Sequence, residues 1–359
     1  MDVFSSPDFD HHEQVVMASD AETGLKAIIA IHSTHRGPAL GGCRMWAYAS
    51  ETEAVRDALR LSRGMSYKSS LAGLPLGGGK SVIIGDARTT KTPALMEAMG
   101  RAVERLAGRY VVAEDVGTNT EDMASIRKHT RHVSGVLPEQ GGSGDPSPAT
   151  AWGVFNGLKQ AVKHKLKTDS LEGVHVAVQG LGHVGYYLAE HLHKAGARLT
   201  VTDIRPENLE RAVQELGATA IDPDRIYGVD AEVFAPCALG AVVNDSTLPQ
   251  FRFKIIAGAA NNQLAEARHG FILLERGVLY TPDYALNAGG VINVGYEYIS
   301  GPNGYDRDKA WAHINRIPDT IARIFALADA EGIPTSLAAD RLAEEGLGKT
   351  APTGTSKAA

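Results

Sequence analysis

Apolar positions in the first part of the chain alternate between strand-like and helix-like spacing. Segments 25–32, 81–85 and 109–115 are short and apolar, which predicts strands. Between them, 51–65 and 93–108 carry apolar residues at intervals of three and four, which predicts amphipathic helices. The pattern therefore predicts an α/β unit over roughly the first 130 residues.

The following part of the chain repeats strand and helix in a regular order. Segment 174–203 predicts a strand, a glycine turn, a helix and a second strand. Further strands are expected at 231–236, 254–259 and 278–283, and helices at 151–165, 289–299, 306–330 and 337–345. Because this alternation is typical of a parallel, doubly wound sheet, the fold class is predicted to be α/β.

A stretch rich in proline and glycine separates these two parts. Segment 138–150 holds three prolines and three glycines, a composition found at domain boundaries. The length of 359 residues also exceeds what one core usually supports. Two domains are therefore expected.

Composition and charge narrow the class of protein. The formal net charge of −6 gives no support to a nucleic-acid partner or an anionic membrane surface. The N-terminal segment lacks the basic start and apolar core of a signal peptide, and apolar runs stay below the length of a membrane span. The two cysteines, Cys43 and Cys237, cannot build a disulfide framework or a multi-cysteine metal site. We expect a cytoplasmic protein that contacts neither nucleic acid nor membrane and holds no metal.

A glycine motif in the second part has the context of a dinucleotide site. Gly180, Gly182 and Gly185 form G-x-G-x-x-G after an apolar strand and before a helix, and Asp203 ends the next strand. The alternative is an ordinary strand–turn–helix. A carboxylate at Asp203 would accept a bond from a ribose hydroxyl and repel a 2′-phosphate, which favours NAD. Arg205 close by leaves NADP open.

Two lysines bracket an apolar, glycine-ending segment in the first part. Lys68 and Lys80 both lie in the stretch 64–80, GMSYKSSLAGLPLGGGK. A nucleotide-binding P-loop is excluded because Leu74 stands where that motif needs glycine, and because the segment leads from a helix into a strand. A buried lysine either binds an anion or loses its proton.

The two lysines can therefore divide the work of a catalytic site. One that stays charged can bind a carboxylate. The other can act as a general base if its pKa falls from ~10.4 toward ~7–8. Burial in the glycine-rich segment and the like charge of Lys68 both favour such a fall for Lys80. Asp115, at the end of a predicted strand, is a candidate proton carrier, and a purely structural acid is an equally good interpretation.

Several motifs together resemble one enzyme family over roughly residues 11–346. They are GPALGGCRMW, ALRLSRGMSYK, GGGKSVIIGD, AEDVGT, QGLGHVG, FAPCALG, AGAANNQLA and YALNAGGVINV. The chain resembles the glutamate/leucine/phenylalanine/valine dehydrogenase superfamily, and its branched-chain amino-acid members are the nearest match.

The resemblance implies a two-domain α/β fold. An N-terminal α/β substrate domain would be joined to a Rossmann-type doubly wound NAD-binding domain, with an active-site cleft between them. The expected ranges are 1–138 for the substrate-binding and catalytic domain, 139–330 for the NAD-binding domain, 331–348 for a C-terminal helix returning to the first domain, and 349–359 for a disordered tail.

The resemblance also assigns site residues. It implies that Lys68 binds the substrate α-carboxylate, that Lys80 is the catalytic base and that Asp115 shuttles protons. The other substrate-binding positions would be Leu40, Gly41, Met65, Ala113, Asn262, Val291 and Val294. The cofactor-binding positions would be Thr150, Gly180, Gly182, His183, Val184, Gly185, Asp203, Ala235, Pro236, Cys237, Ala238, Ala260, Asn261 and Asn287.

The implied reaction is reversible NAD-dependent oxidative deamination of an aliphatic branched-chain L-amino acid to its 2-oxo acid and ammonia, by a homo-oligomer. An aromatic amino-acid dehydrogenase of the same family and a non-catalytic sensor of NAD or an amino acid are the alternatives. Tyr296 and Tyr298 depart from the leucine-type pattern after Val294. They leave the size of the substrate open, because they could equally be surface or subunit contacts.

Overall fold

The chain divides into two compact units in the computed structural model, which describes residues 3–301 and 304–349. In its described part, unit 1 comprises residues 3–144, 294–301, 304–306 and 340–349, and unit 2 comprises Asp145–Asn293 and Arg307–Ala339. The first boundary therefore falls within the segment rich in proline and glycine. The return of 294–306 to unit 1 has no counterpart in the predicted domain ranges.

Unit 1 is built on a five-stranded mixed sheet with strand order β1-β2-β4-β3-β5. Its strands are β1 (Gln14–Asp20), β2 (Leu25–Ser33), β3 (Ala39–Trp46), β4 (Gly77–Ile84) and β5 (Tyr110–Glu114), and its first helices are α1 (Glu51–Leu71), α2 (Pro93–Glu104) and α3 (Thr120–Arg127). Strand β4 is central; it runs antiparallel to β2 and parallel to β3. Strand β1, which the apolar pattern does not predict, pairs antiparallel with β2.

The two faces of this sheet pack against different helices. Along β2, Ile28 and Ala30 contribute to the core under α1, whereas Ile29 and Ile31 belong to the core with α2 and α3. Because successive strand residues point to opposite faces, a strand covered on both sides reads as a continuous apolar run. Ala30 pairs with Lys80 across the strands, so Lys80 lies on the face that α1 covers.

Helix α1 is longer than predicted and carries both Met65 and Lys68. Its first turn is stabilised by the Ser50 side chain, which accepts a bond from the backbone N–H of Glu53. The helix ends at Leu71, so Lys68 lies in its last turn, where the helix dipole favours a cation.

The run Gly77–Gly79 forms the start of β4, so this strand begins four residues before the strand predicted at 81–85. These glycines allow close packing of the surrounding backbone. A Cβ added at Gly78 would lie 2.0 Å from the backbone N of Ser66 on α1, and one at Gly79 would lie 2.7 Å from the ring of Tyr110. Helix α1 can therefore lie directly against β4.

Unit 2 contains a six-stranded sheet with strand order β11-β10-β9-β6-β7-β8 and parallel pairing throughout. Its strands are β6 (His175–Gln179), β7 (Arg198–Thr202), β8 (Thr219–Ala220), β9 (Val233–Pro236), β10 (Ile255–Ile256) and β11 (Leu279–Tyr280). The predicted doubly wound α/β class is confirmed. Strands β10 and β11 are shorter than the apolar segments that predict them.

Helices flank this sheet and continue to the C-terminal part of the chain. They are α4 (Ser147–Leu166), α5 (His183–Lys194), α6 (Pro206–Leu216), α7 (Arg268–Glu275), α8 (Asp283–Leu286), α9 (Gly289–Ile299), α10 (Arg307–Ile314), α11 (Ile317–Glu331) and α12 (Thr335–Gly346). Short 3₁₀ turns occupy Val3–Ser5, Pro138–Gln140, Pro223–Gly228 and Leu248–Gln250. The segment 306–330 is two helices because Pro318 opens α11.

The end of α12 contacts helix α1 within unit 1. Ser70 Oγ donates to the carbonyl of Ala343 at 2.8 Å, and Tyr67 donates to Glu344 at 2.6 Å. Lys349, which the sequence assigns to a disordered tail, donates to Asp10 at 2.7 Å. The remainder of that predicted tail lies outside the described residues. Within the described ranges, no helix combines the length and apolar character needed to cross a bilayer.

Two glycines of unit 1 give a matched test of this packing. We expect Gly78→Ala to lower the free energy of unfolding by at least about 2 kcal/mol, because its Cβ overlaps the backbone of α1. Gly64→Ala, on the open face of the same helix, is expected to raise it by about 0.5–1 kcal/mol, since alanine favours a helix interior. Urea unfolding of both variants measures the difference, and equal stabilities would contradict the proposed packing.

Candidate functional site

Strand order brings Lys80 and Asp115 together in unit 1. Lys80 lies on β4 and is only 4% exposed, and Asp115 follows the last residue of β5. Strand β3 lies between these two strands, so the pair spans it. Gly42 on β3 makes the span possible, because a Cβ there would lie 2.8 Å from the Cβ of Asp115. Lys80 Nζ donates directly to Asp115 Oδ2.

The pKa values of Lys80 and Asp115 are both lowered, for different physical reasons. Burial lowers the pKa of Lys80 and outweighs the carboxylate of Asp115, which by itself would raise it. Burial alone would raise the pKa of Asp115, but the charges of Lys80 and Arg44 outweigh it and hold that pKa below its ordinary value. The arrangement therefore pairs an ionised carboxylate with a lysine that releases its proton more readily than a solvated one.

Arg44 is a charged neighbour of this pair that sequence reasoning misses. Its Nε donates to Asp115 Oδ1 at 3.0 Å, and its Nη1 donates to Asp57 Oδ2 at 3.0 Å. Arg44 is also the like charge that lowers the pKa of Lys80, a role that the sequence assigns to Lys68. A charged residue inside an otherwise apolar strand, GGCRMW, is the signal that could have identified it.

The other predicted substrate residues of unit 1 lie on the elements around Lys80. Leu40 and Gly41 are buried on β3, and Ala113 is half-buried on β5. Met65 and Lys68 are half-buried on α1, which packs on β4 through Ser66 and Gly78. Val294 lies on the part of α9 that belongs to unit 1. Asn262 and Val291 belong to unit 2.

The residues after Val294 contact the segment that leads to the unit boundary. Glu297 accepts bonds from the backbone N–H groups of Gly135 and Ser143, each at 2.8 Å. Tyr298 forms a hydrogen bond with His132 Nδ1 at 3.1 Å. Tyr298 is therefore partly engaged in contacts within unit 1.

The glycine motif of unit 2 forms a turn that leaves space above the backbone. Gly180 follows β6 with φ +93°, a conformation that favours glycine. A Cβ at Gly185 would lie 2.0 Å from the carbonyl oxygen of Gly180, whereas one at Gly182 would meet nothing within 4 Å. Helix α5 starts after Gly182 without a side-chain cap, so its first N–H groups are available to a phosphate.

Asp203 is oriented by the backbone at the end of β7. Its Oδ2 accepts a bond from the N–H of Leu181 at 2.6 Å, and its Oδ1 accepts one from the N–H of Arg205 at 2.8 Å. The carboxylate is thereby held beside the glycine turn, which is the position from which an acid binds a ribose hydroxyl. The Arg205 side chain is exposed.

Buried polar atoms near the carboxyl ends of the unit 2 strands have acceptor capacity left over. Asn287 donates to Asn261 Oδ1 at 2.8 Å and to the carbonyl of Ala259 at 3.0 Å. Its own Oδ1, and the side-chain oxygens of Gln179 and Thr202, have no protein partner among the described residues. A polar ligand bound there would satisfy them. The open turn and these acceptors fit a dinucleotide.

The remaining predicted cofactor residues lie on the same sheet or on helices next to it. Thr150 is on α4, His183 and Val184 begin α5, Ala235 and Pro236 end β9, Cys237 and Ala238 follow it, and Ala260 follows β10. Gly290 packs on Thr150, where an added Cβ would lie 2.6 Å from the threonine hydroxyl.

One cluster in unit 2 has side chains of the metal-binding type. Ligand atoms of Asp245, Glu266 and His269 lie within 4.8 Å of one another. Arg268 donates to Glu266 at 2.9 Å and to Asp245 at 2.9 Å, so a guanidinium already supplies the positive charge. The cluster is an ion-pair network on the surface of the unit.

Comparison with known proteins covers nearly the whole chain. A family model described as Glu/Leu/Phe/Val dehydrogenase, dimerisation domain, matches residues 10–132, and one described as Glutamate/Leucine/Phenylalanine/Valine dehydrogenase matches 141–206 and 205–339. Leucine dehydrogenase from Thermoactinomyces intermedius and that from Geobacillus stearothermophilus are each 56% identical over 345 residues, 96% of this chain and 93% of the relative.

A solved structure extends the likeness to three dimensions. The crystal structure of L-tryptophan dehydrogenase from Nostoc punctiforme is 43% identical, with a TM-score of 0.83 over 94% of this chain and 96% of that one. The predicted resemblance is confirmed: the chain belongs to the glutamate/leucine/phenylalanine/valine dehydrogenase family.

Proposed function

We propose that the protein catalyses the reversible, NAD-dependent oxidative deamination of aliphatic branched-chain L-amino acids to 2-oxo acids and ammonia. The observation that carries this proposal is the buried Lys80 that donates to Asp115, because it supplies a base of lowered pKa. Leucine dehydrogenases that are 56% identical over 96% of the chain support the substrate class.

In the proposed mechanism, Lys68 stays charged and binds the substrate α-carboxylate. A bound nicotinamide dinucleotide supplies the acceptor for the hydride that leaves the substrate Cα. Neutral Lys80 then takes a proton from the water molecule that attacks the resulting imine carbon, which gives a carbinolamine. That carbinolamine collapses to the 2-oxo acid and ammonia.

Asp115 handles the protons that this sequence releases. Because it is in hydrogen-bond contact with Lys80, it can accept the proton that the lysine has taken from water. Transfer of that proton to the carbinolamine nitrogen makes ammonia the leaving group, and Lys80, neutral again, takes the hydroxyl proton as the C=O bond forms. This last proton passes to solvent, which restores neutral Lys80 for the next turnover. The charge of Arg44 favours the ionised form of Asp115 throughout, and that of Lys80 does so whenever the lysine is protonated.

The side-chain pocket proposed for the substrate is apolar. Its positions are Leu40, Met65, Ala113, Val291 and Val294. None of these five carries a charge that could bind the γ-carboxylate of glutamate. One methylene changes discrimination by only about 1–3 kcal/mol in such a pocket, so leucine, valine and isoleucine should all react. The likeness to an L-tryptophan dehydrogenase makes an aromatic substrate the second candidate.

We also propose that the chain forms a homo-oligomer. The family model that matches residues 10–132 is described as a dimerisation domain, which supports this assembly. Unit 1 exposes large apolar side chains at Met17, Trp46 and Val116, each more than half exposed. Such side chains provide apolar area that a second copy could bury.

A panel of L-amino acids tests the substrate class. With NAD in excess, we expect rapid reduction with leucine, valine and isoleucine, and a kcat/KM at least about tenfold lower with phenylalanine, tryptophan or glutamate. Absorbance of the reduced cofactor measures each rate. Turnover restricted to the aromatic substrates would favour the second candidate, and turnover restricted to glutamate would contradict the apolar pocket.

Replacing the proposed base separates chemistry from cofactor binding. Lys80→Ala should lower kcat by about 10²–10⁴-fold, because the attacking water loses its proton acceptor. NAD should still bind, since the glycine turn belongs to unit 2. Lys26→Ala, an exposed lysine on the neighbouring β2, is the control and should keep full activity. A Lys80→Ala variant with more than a tenth of the normal kcat would refute the base assignment.

Asp203 provides the test of cofactor choice. The protein should use NAD with a higher kcat/KM than NADP, because the carboxylate repels a 2′-phosphate. Asp203→Ser should reduce the NAD:NADP ratio of kcat/KM by about tenfold or more, the usual effect of losing a charged hydrogen bond. Asp169→Asn, an exposed acid of the same unit, should leave the ratio unchanged. A ratio unaltered in Asp203→Ser would exclude this residue from cofactor selection.

A further inference from the structure

Arg44 connects the Lys80–Asp115 pair to a second carboxylate. Its Nε and Nη1 donate to different acids, Asp115 Oδ1 and Asp57 Oδ2, both at 3.0 Å. Asp57 is itself held on helix α1, where Tyr48 donates to it at 2.7 Å. The planar guanidinium is therefore fixed at both ends, by one acid after β5 and another on α1.

The position of Arg44 leaves one oxygen of Asp115 for the lysine. Asp115 Oδ1 accepts from Arg44 and from the N–H of Val116 at 2.7 Å. Asp115 Oδ2 accepts from Lys80. The backbone N–H of Asp115 donates to Thr118 Oγ1 at 3.0 Å, and this bond fixes the turn from which the Asp115 side chain extends. Rotation of the carboxylate away from Lys80 would break the contacts of Oδ1.

We propose that Arg44 is a positioning residue of the proposed active site: anchored by Asp57, it holds the Asp115 carboxylate so that one oxygen faces Lys80. This inference rests on the proposed function, since it assigns Arg44 to the same base. Arg44 also lines an open surface cavity of about 660 Å³.

Among the groups around Lys80, Arg44 is the positive charge whose removal tests the electrostatic effect on the lysine. The groups whose charges act most on Lys80 are Asp115, directly after β5, and Arg44 and Cys43 on β3. Helix α1, which covers this face of the sheet, also carries Lys68 and the Asp57 that accepts from Arg44. Burial raises the pKa of Cys43 to about 12 and that of Tyr110 well above its ordinary value, so both are neutral. On β2, Ala30 pairs with Lys80.

The sign of the electrostatic effect follows from these neighbours. The positive charge of Arg44 disfavours a second cation and lowers the pKa of Lys80. A lower pKa makes the neutral amine available at lower pH, so kcat/KM for deamination begins to rise at lower pH. Loss of the Arg44 charge removes this effect and moves the rise toward higher pH.

Three variants test the proposal through the pH profile of leucine oxidation. Arg44→Gln should move the rising limb of kcat/KM up by about one pH unit, the usual effect of one neighbouring charge. Arg44→Lys keeps the charge and should retain the rising limb of the wild-type kcat/KM profile. Its kcat should fall about tenfold, because the simultaneous bonds to Asp115 and Asp57 are lost. Arg56→Gln, an exposed arginine in the same cavity that pairs with Asp8, is the control and should match the wild type.

Competitive acetylation of the lysines across pH, followed by mass spectrometry, gives a second readout that needs no turnover. The titration of Lys80 should move up by about one pH unit in Arg44→Gln and stay in place in Arg44→Lys. An unmoved titration in Arg44→Gln, or an equal movement in Arg44→Lys or Arg56→Gln, would overturn the positioning role. Absence of turnover by the wild type with every amino acid would instead refute the proposed function, and acetylation would still decide the role of Arg44.

Discussion

Lys80 lies on the central strand of a five-stranded sheet, where an ammonium group loses most of its hydration. A charge in such a place requires a partner or loses its proton. Unit 1 supplies one carboxylate, at Asp115, and limits its effect with the opposing charge of Arg44. The pKa of the lysine is consequently lower than that of a solvated lysine, so its neutral form, which can take a proton, is more accessible.

Glycine serves two different physical purposes in the two units. In unit 1, Gly42 and Gly78 are needed because a side chain would overlap Asp115 or the backbone of α1. Their role is close packing around the lysine. In unit 2, Gly180 is needed for its left-handed backbone, and Gly182 leaves open space next to the start of α5. That pair of properties suits a ligand phosphate, whereas the glycines of β4 are covered by protein.

Several parts of this organisation are visible in the sequence because they depend on near neighbours. The turn at Gly180 is encoded within a few residues, and its strand and helix are recognisable from apolar spacing alone. The same holds for the strands that read as continuous apolar runs. The strand conformation of Gly77–Gly79 is not visible in the sequence, because glycine favours turns locally. In the structure these residues start strand β4, where α1 and Tyr110 pack too closely for larger side chains. Strand β1 was not predicted, because its residues at the half-buried edge of the sheet show no clear apolar alternation.

By itself the sequence determined the α/β class, the dinucleotide turn and the two lysines as candidate active-site residues. Each of these depends on residue types and spacing within a short segment. Only the tertiary structure decided which charged groups lie beside Lys80. Lys80 and Asp115 are 35 residues apart, and Arg44 and Asp115 are 71 apart. Their contacts exist because β4, β3 and β5 are adjacent in the sheet. A pKa depends on burial and on charges within a few ångströms, and those are properties of strand order that no local pattern contains.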